Sequence, residues 1–161
     1  MPAAFIRPLT AADLAVVIDL SYRIWPEAYG GILTPAEIGN ILARVYSRDN
    51  MMAEMTAGHR FWAAYEDDTA LGYASGYRDG EAAWVKKLYV LPEAQKRGIG
   101  RLLIETVAQA FDPVRELRLL VNNGNLAAQA AYARLGFAKA AEVPVKMGDY
   151  AFTDYLYIKR L

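Results

Sequence analysis

The sequence predicts an α/β fold, a mixed α+β arrangement in which a central, mostly antiparallel twisted sheet carries helices on both faces. Three observations predict it. Helical periodicity dominates residues 10–57, three period-two segments follow between His59 and Val90, and from Ile99 onward helices and strands alternate. At 161 residues, with no linker, repeat or low-complexity segment, the chain reads as one domain spanning 1–161.

Phe5 to Leu9 reads as a short first strand. Thr10-Ala-Ala-Asp13 ends it and, as a capping-box arrangement, opens a helix with Leu14, Val17, Ile18 and Ser21 on its inner face. The aromatic stretch Trp25-Pro-Glu-Ala-Tyr-Gly-Gly31 is expected to break that helix, because Pro26 and two glycines continue it poorly, and to form a substrate loop. A second capping box, Thr34-Pro-Ala-Glu37, starts a helix to about Tyr46, and a short third helix runs from Arg48 to Ala57 and stops at Gly58.

Three strands follow, Phe61 to Tyr65, Ala70 to Tyr77 and Glu81 to Val90, with Asp67-Asp68 and Asp79-Gly80 as the turns of an antiparallel meander. His59, at the start of the first, reads as a helix-ending or capping residue, with a catalytic role as the alternative. A helix over 98–111 stops at Asp112-Pro113, a buried strand covers Glu116 to Val121, and an Ala-rich helix runs to about Leu135 with Gly136 at its C-terminus. Phe137 to Ala140 and Val143 to Met147 extend the sheet, and a Gly148-Asp149 turn leads into a last strand, Tyr150 to Leu161.

The chemistry concentrates in Leu88 to Leu103, a strand, a loop and a helix start. Pro92 stops the strand, and Ile99, Leu102, Leu103, Thr106, Val107 and Ala110 then recur on one helical face, placing Gly98 and Gly100 on the first turn. The first N–H groups of a helix lack intrahelical partners and carry the positive end of its dipole. Without Cβ atoms, Gly98 and Gly100 let an anion reach those amides, while Lys96, Arg97 and Arg101 add charge around them. A pyrophosphate is the expected ligand. The Walker spacing is absent, and the dinucleotide fingerprint fails at Leu103, where it requires a small residue.

Composition narrows the chemistry. Cysteine is absent, which excludes disulfides, thiol nucleophiles and Cys-based zinc sites, and one histidine leaves little for a metal. No apolar run reaches membrane-spanning length and no signal-peptide pattern opens the chain, so a cytoplasmic protein without membrane partners is expected. Zero net charge argues against nucleic acid, but it hides an asymmetry: residues 1–80 hold six Lys+Arg against ten Asp+Glu, and 81–161 hold twelve against eight. The acidic half is expected to face a cationic substrate.

Val-x-Pro followed by Gln-x-x-Gly-x-Gly at 90–100 resembles the coenzyme A loop of the GCN5-related N-acetyltransferase (GNAT) family. A second stretch, Asn125 to Phe137, is similar to that family's other hallmark, an Asn followed seven residues on by Tyr132 and then Leu-Gly-Phe. Seven residues is about two helical turns, so Asn125 and Tyr132 are expected on one face. The C-terminal Gly-Asp turn, Thr153-Asp154 and apolar strand look like the tail of PaiA-type polyamine acetyltransferases, and Trp25-Pro-Glu-Ala-Tyr fits the same subgroup.

The resemblance implies a GNAT fold and transfer of the acetyl group of acetyl-CoA to a primary amine by direct attack in a ternary complex. The implied cofactor contacts are Leu88, Tyr89, Val90, Gln95, Lys96, Arg97, Gly98, Ile99, Gly100, Arg101, Asn125, Ala128 and Tyr132. A backbone N–H near Leu88 would hold the thioester oxygen, and Tyr132 would act as general acid toward sulfur. Many family members carry Glu four residues before Leu88, where this chain has Trp84. Glu81, Glu27 and Tyr29, or a water relay, are the substitutes considered for the base. Trp25, Glu27, Tyr29, Glu81, Trp84 and Asp149 are the expected acceptor-side residues, with Asp154 beside Asp149 in the tail. The acceptor is read as a polyamine or other small amine. Protein N-terminal or lysine acetylation and a non-catalytic acyl-CoA-binding module stand as alternatives, and a homodimer is admitted.

Overall fold

A computed structural model describes residues 3–147 and 150–161. Strand β1 (Phe5–Leu9) is followed by a 3-10 turn at Ala11–Asp13 and by three helices, α1 (Leu14–Tyr29), α2 (Pro35–Val45) and α3 (Arg48–Thr56). The meander β2 (Arg60–Glu66), β3 (Thr69–Asp79) and β4 (Ala82–Val90) leads through a 3-10 turn at Pro92–Ala94 to α4 (Ile99–Ala110). Then come β5 (Glu116–Asn122), α5 (Leu126–Arg134), β6 (Ala138–Met147) and β7 (Tyr150–Arg160). The strands form one seven-stranded sheet in the order β1-β2-β3-β4-β5-β7-β6, antiparallel except at β4–β5.

Local chemistry fixes most boundaries. Thr34 accepts from the Glu37 N–H at 3.1 Å, while the Glu37 carboxylate accepts from the Thr34 N–H at 2.9 Å, a reciprocal cap with Pro35 at the first helical position. His59 ends α3, its N–H donating to the Glu54 carbonyl at 2.9 Å. Gly136, with φ +96°, takes the left-handed conformation that closes α5.

The helices cover both faces. Gly76 of β3 faces α4, since a Cβ there would lie 2.9 Å from the Val107 side chain. Tyr73, on the opposite face, accepts a hydrogen bond from Ser21 of α1 at 2.8 Å. The apolar stripe of α4, Ile99, Leu103, Ile104 and Val107, is fully buried on the first face. Leu14, Val17, Leu20, Ser21 and Ile24 of α1 are buried on the second.

Two expectations change. Helix α1 does not break at Trp25 but continues through Pro26 to Tyr29, so Trp25 and Tyr29 stand one turn apart on a helix. Proline removes one N–H from the ladder, a small loss in a last turn whose Trp25 and Tyr29 rings are buried against the sheet. The pieces Phe137 to Ala140 and Val143 to Met147 form a single strand, β6, whose pairing with β7 steps over one residue between Lys139 and Ala141. The Gly148-Asp149 turn lies outside the described residues. Among the described residues, no helix is long and apolar enough to cross a membrane.

Candidate active site

Strands β4 and β5 run side by side over only three residue pairs, Ala82–Trp84 against Glu116–Arg118. Beyond Trp84, β4 stays on β3 as far as Val90 and β5 stays on β7 as far as Asn122, so the two part and open a gap in the middle of the sheet. A bulge begins the opening: Val85 pairs with Gly76 and Lys87 with Ser75, which leaves Lys86 as the extra residue. Gly76 is required there, because a Cβ would lie 2.6 Å from the Trp84 carbonyl oxygen.

At the end of β4 the chain turns into α4 through a tight loop. Lys96 and Gly98 both have positive φ, +62° and +79°, and the Gln95 side chain donates to the Val90 carbonyl at 3.2 Å, tying the loop to the strand it leaves. The first helical bond runs from Leu102 N–H to Gly98 C=O, which leaves the amides of Ile99, Gly100 and Arg101 without an intrahelical acceptor. A Cβ on Gly98 or Gly100 would meet nothing within 4 Å, so the space in front of these amides is open. The charge around them is smaller than the sequence suggests, because Arg97 is paired with Glu66 of β2.

On the α1 face the gap widens into a cavity of about 250 Å³. Trp25 and Tyr29 of α1 line it, with Ile41 and Val45 of α2 and Tyr46 just beyond that helix, then Trp84, Lys87 and Tyr89 of β4, and Asn122, Phe152 and Asp154 of β5 and β7. The aromatic rings touch one another: Trp25 lies 4.4 Å from Tyr29 and 5.5 Å from Tyr89, and the Tyr29 and Tyr89 hydroxyls are 2.9 Å apart. Burial raises the pKa of Tyr29, and the Asp154 charge adds to it, while the Tyr89 and Asn125 side chains oppose. Tyr46 and Tyr89 are raised well above the usual phenol range, again by burial, so this wall presents neutral hydroxyls.

Beneath the cavity Lys87, 3% exposed, donates to both Glu54 oxygens, at 2.6 and 2.8 Å. Its ammonium also lies over the rings of Tyr46 and Phe61, at 5.6 and 5.5 Å. Burial lowers the pKa of Lys87 and the Glu54 carboxylate resists that shift. Beside this pair, His59, just ahead of β2, stacks on Tyr77 of β3 at 4.5 Å, and Tyr77 stacks on Trp84 of β4 at 6.3 Å. Burial lowers the His59 pKa, so its ring is neutral at pH 7.

Asn125 caps α5, its side chain accepting from the Ala128 N–H at 3.2 Å, so it stands at the helix entrance, about two turns before Tyr132. Tyr132 packs on Phe137 at 6.0 Å and Tyr157 at 6.3 Å, and burial raises its pKa. Tyr29 contributes to that rise, which brings the last turn of α1 and the α5 tyrosine to the same end of the gap. Leu88 and Tyr89 are half-buried on β4 where its β5-facing edge is unpaired.

Three acceptor-side expectations do not hold. Glu27 is exposed between buried Trp25 and Tyr29 and does not line the cavity, because the helix that replaces the expected loop turns it outward. Glu81 sits exposed at the β3–β4 turn, 3.5 Å from Arg115, at the closed end of the strand pair. The acidic first half of the chain supplies no carboxylate to the cavity wall, whose charged groups among the described residues are Lys86, Lys87 and Asp154. Asp149 lies outside the described residues. Tyr46, Tyr77, Lys87 and Phe152 were missed; of these Lys87 carried a signal, a lysine at an inward position of an apolar strand.

Residues 57–139 match the model of the acetyltransferase (GNAT) domain, and the chain belongs to that family of N-acetyltransferases. A spermidine N(1)-acetyltransferase of Thermoplasma acidophilum is 25% identical over 162 aligned residues, covering 96% of each chain. In structure the chain is similar to the PaiA N-acetyltransferase of Thermoplasma acidophilum solved with coenzyme A, with a TM-score of 0.83, 23% identity and 99% of both chains covered. It is also similar to a GCN5-related N-acetyltransferase of Rhodopseudomonas palustris, with a TM-score of 0.82, 18% identity and coverage of 100% and 96%.

The buried ion pair under the cavity yields a stability test. Glu54→Gln leaves the Lys87 ammonium buried and unpaired and is expected to cost about 3–5 kcal/mol in urea unfolding. The double variant Glu54→Leu with Lys87→Met is expected to lose much less than the single one, since no charge is then stranded.

Proposed function

We propose that this chain transfers the acetyl group of acetyl-CoA to a small primary amine, with a polyamine such as spermidine as the acceptor. The observation that carries this reading is the gap between β4 and β5, which joins the anion-ready start of α4 to an aromatic-walled cavity of about 250 Å³. The 25% identity to a spermidine acetyltransferase along nearly the whole chain supports the acceptor class.

The residues fit an acyl-CoA. The free amides of Ile99, Gly100 and Arg101 suit a pyrophosphate, with Gly98 and Gly100 leaving the approach clear and Lys96 and Arg101 adding charge. The unpaired edge of β4 from Val85 to Val90 offers backbone groups to the amide-bearing arm of the cofactor, and an N–H near Leu88 serves as the donor to the thioester oxygen. Ala128, half-buried on the first turn of α5, and Asn125 flank that arm. When bound, acetyl-CoA supplies the activated acetyl group. Tyr132, protonated through burial, gives its proton to the departing sulfur. Trp25, Tyr29 and Trp84 line the path of the acceptor, whose alkyl chain lies against apolar walls and whose ammonium groups meet aromatic faces. The chain acts as one domain.

The direct experiment is thiol release from acetyl-CoA with spermidine, spermine, simple alkylamines and a peptide α-amine offered in turn. Turnover with the polyamines is expected; turnover confined to the peptide would replace this reading with protein acetylation. Tyr132→Phe is expected to lower kcat by about 10²-fold with little change in acetyl-CoA affinity, and wild-type turnover would assign the ring to packing alone. Arg101→Glu reverses a charge on the first turn of α4, and calorimetry is expected to find acetyl-CoA binding weakened about tenfold, less at high salt.

A further inference from the structure

The residue that takes the proton from the amine is missing from its customary place, where this chain has Trp84. An alkylammonium with pKa ~10.4 is neutral in only about one molecule in a few thousand at pH 7, so a proton acceptor at the cavity has a large effect to exert. The phenols lining the cavity are held protonated by burial, and Lys87 is committed to Glu54. Asp154 is the one carboxylate lining the cavity among the described residues.

Its position is set by the sheet. Asp154 of β7 pairs with Asn122, the last residue of β5, and with Val143 of β6, so it stands at the end of β5 that has parted from β4. Neither neighbour titrates. From β4, Lys86 faces it, and from α1, Tyr29 is near enough to feel its charge.

We propose that Asp154 is a catalytic residue, the group that accepts the proton of the acceptor's ammonium in the cavity. This rests on the amine-acetylation reading above. In the step, an N–H bond of the ammonium breaks and its proton passes to an Asp154 oxygen and then to solvent, which is the one net proton the reaction releases. The freed nitrogen lone pair forms the C–N bond and the C–S bond breaks with its electron pair on sulfur. The second proton leaving nitrogen balances the one sulfur takes from Tyr132, whose phenol is restored through solvent. Burial raises the Asp154 pKa and the Lys86 charge opposes it, a net rise that moves the carboxylate toward the range in which a base works at neutral pH.

The test compares pH profiles of kcat/KM for the wild type, Asp154→Asn and Asp154→Glu on every amine the wild type acetylates. The wild-type profile is expected to fall on the acid side with a pKa above that of an ordinary aspartate and to be flat near neutrality. Asp154→Asn is expected to be slower by about 10²-fold or more at pH 7, and to climb about tenfold per pH unit toward the wild type as free amine accumulates. Asp154→Glu keeps a carboxylate and is expected to restore most of the rate, and acetyl-CoA affinity should be unchanged in both. An Asp154→Asn profile parallel to the wild type at every pH, or an undiminished rate at pH 7, overturns the assignment. Refusal of spermidine with an Asp154-dependent profile on another amine overturns the polyamine reading and leaves this one standing.

Discussion

Everything at this site depends on how briefly β4 and β5 pair. Three residues of parallel ladder hold the two halves of the sheet together, and beyond Trp84 each strand keeps its other neighbour and abandons this one. Backbone N–H and C=O groups buried without partners cost about 1–3 kcal/mol each, so strands this long ordinarily stay paired. The open edge of β4 is therefore a line of hydrogen-bonding groups available to an extended, amide-bearing ligand, in effect a missing strand. The bulge at Lys86 begins the divergence, and Gly76 permits it by letting β3 and β4 close up on their remaining side.

The cavity wall is held in place by groups that do not react. Lys87 is fixed by two bonds to Glu54 and by two aromatic faces, which keeps a cation in the floor of the site without exposing its charge. Ser21 donates to Tyr73, and Tyr73 packs on both Tyr46 and Tyr89, at 5.9 and 5.7 Å, so the rings are held in register with α1. Such aromatic pairs contribute about 0.5–1.5 kcal/mol each beyond the area they bury, enough to keep the wall rigid around an acceptor.

Much of this architecture was legible because it rests on short-range chemistry. The Thr34–Glu37 cap, the Asp67-Asp68 turn and the glycine-marked start of α4 are each decided within about four residues and found where the sequence places them, while the second meander turn falls one residue later than expected, at Gly80-Glu81. What failed depends on contacts distant in sequence. Pro26 and two glycines look like a break until Trp25 and Tyr29 meet Tyr89, sixty or more residues away, and that burial carries the helix on. Glu27 lost its role through the same error, because on a helix it points opposite the two aromatics that a loop would have left beside it. Arg97, read as a free charge for a phosphate, is claimed by Glu66 of a strand it neighbours only in space. The net charge of each half misled for a related reason: charge counted along the chain carries no information about which side chains turn inward.

The result is a division of labour between protonated and unprotonated groups. The buried tyrosines, Tyr29, Tyr46, Tyr89 and Tyr132, are all driven upward in pKa and keep their protons at neutral pH, so they do not serve as bases. Amide formation needs a donor for the thiolate and an acceptor for the ammonium, and a wall made of phenols alone would satisfy the first need and frustrate the second. Asp154 breaks that uniformity at the mouth of the strand gap, and its distance in sequence from Trp84 does not matter, since β7 reaches the site across β5. The same partial burial that lets a carboxylate function there also disfavours crowding a second beside it, and among the described residues only one lines the cavity. A second would be repelled by the first and would raise the cost of keeping either ionised, whereas for a single one burial disfavours the charged form and the Lys86 charge opposes that shift.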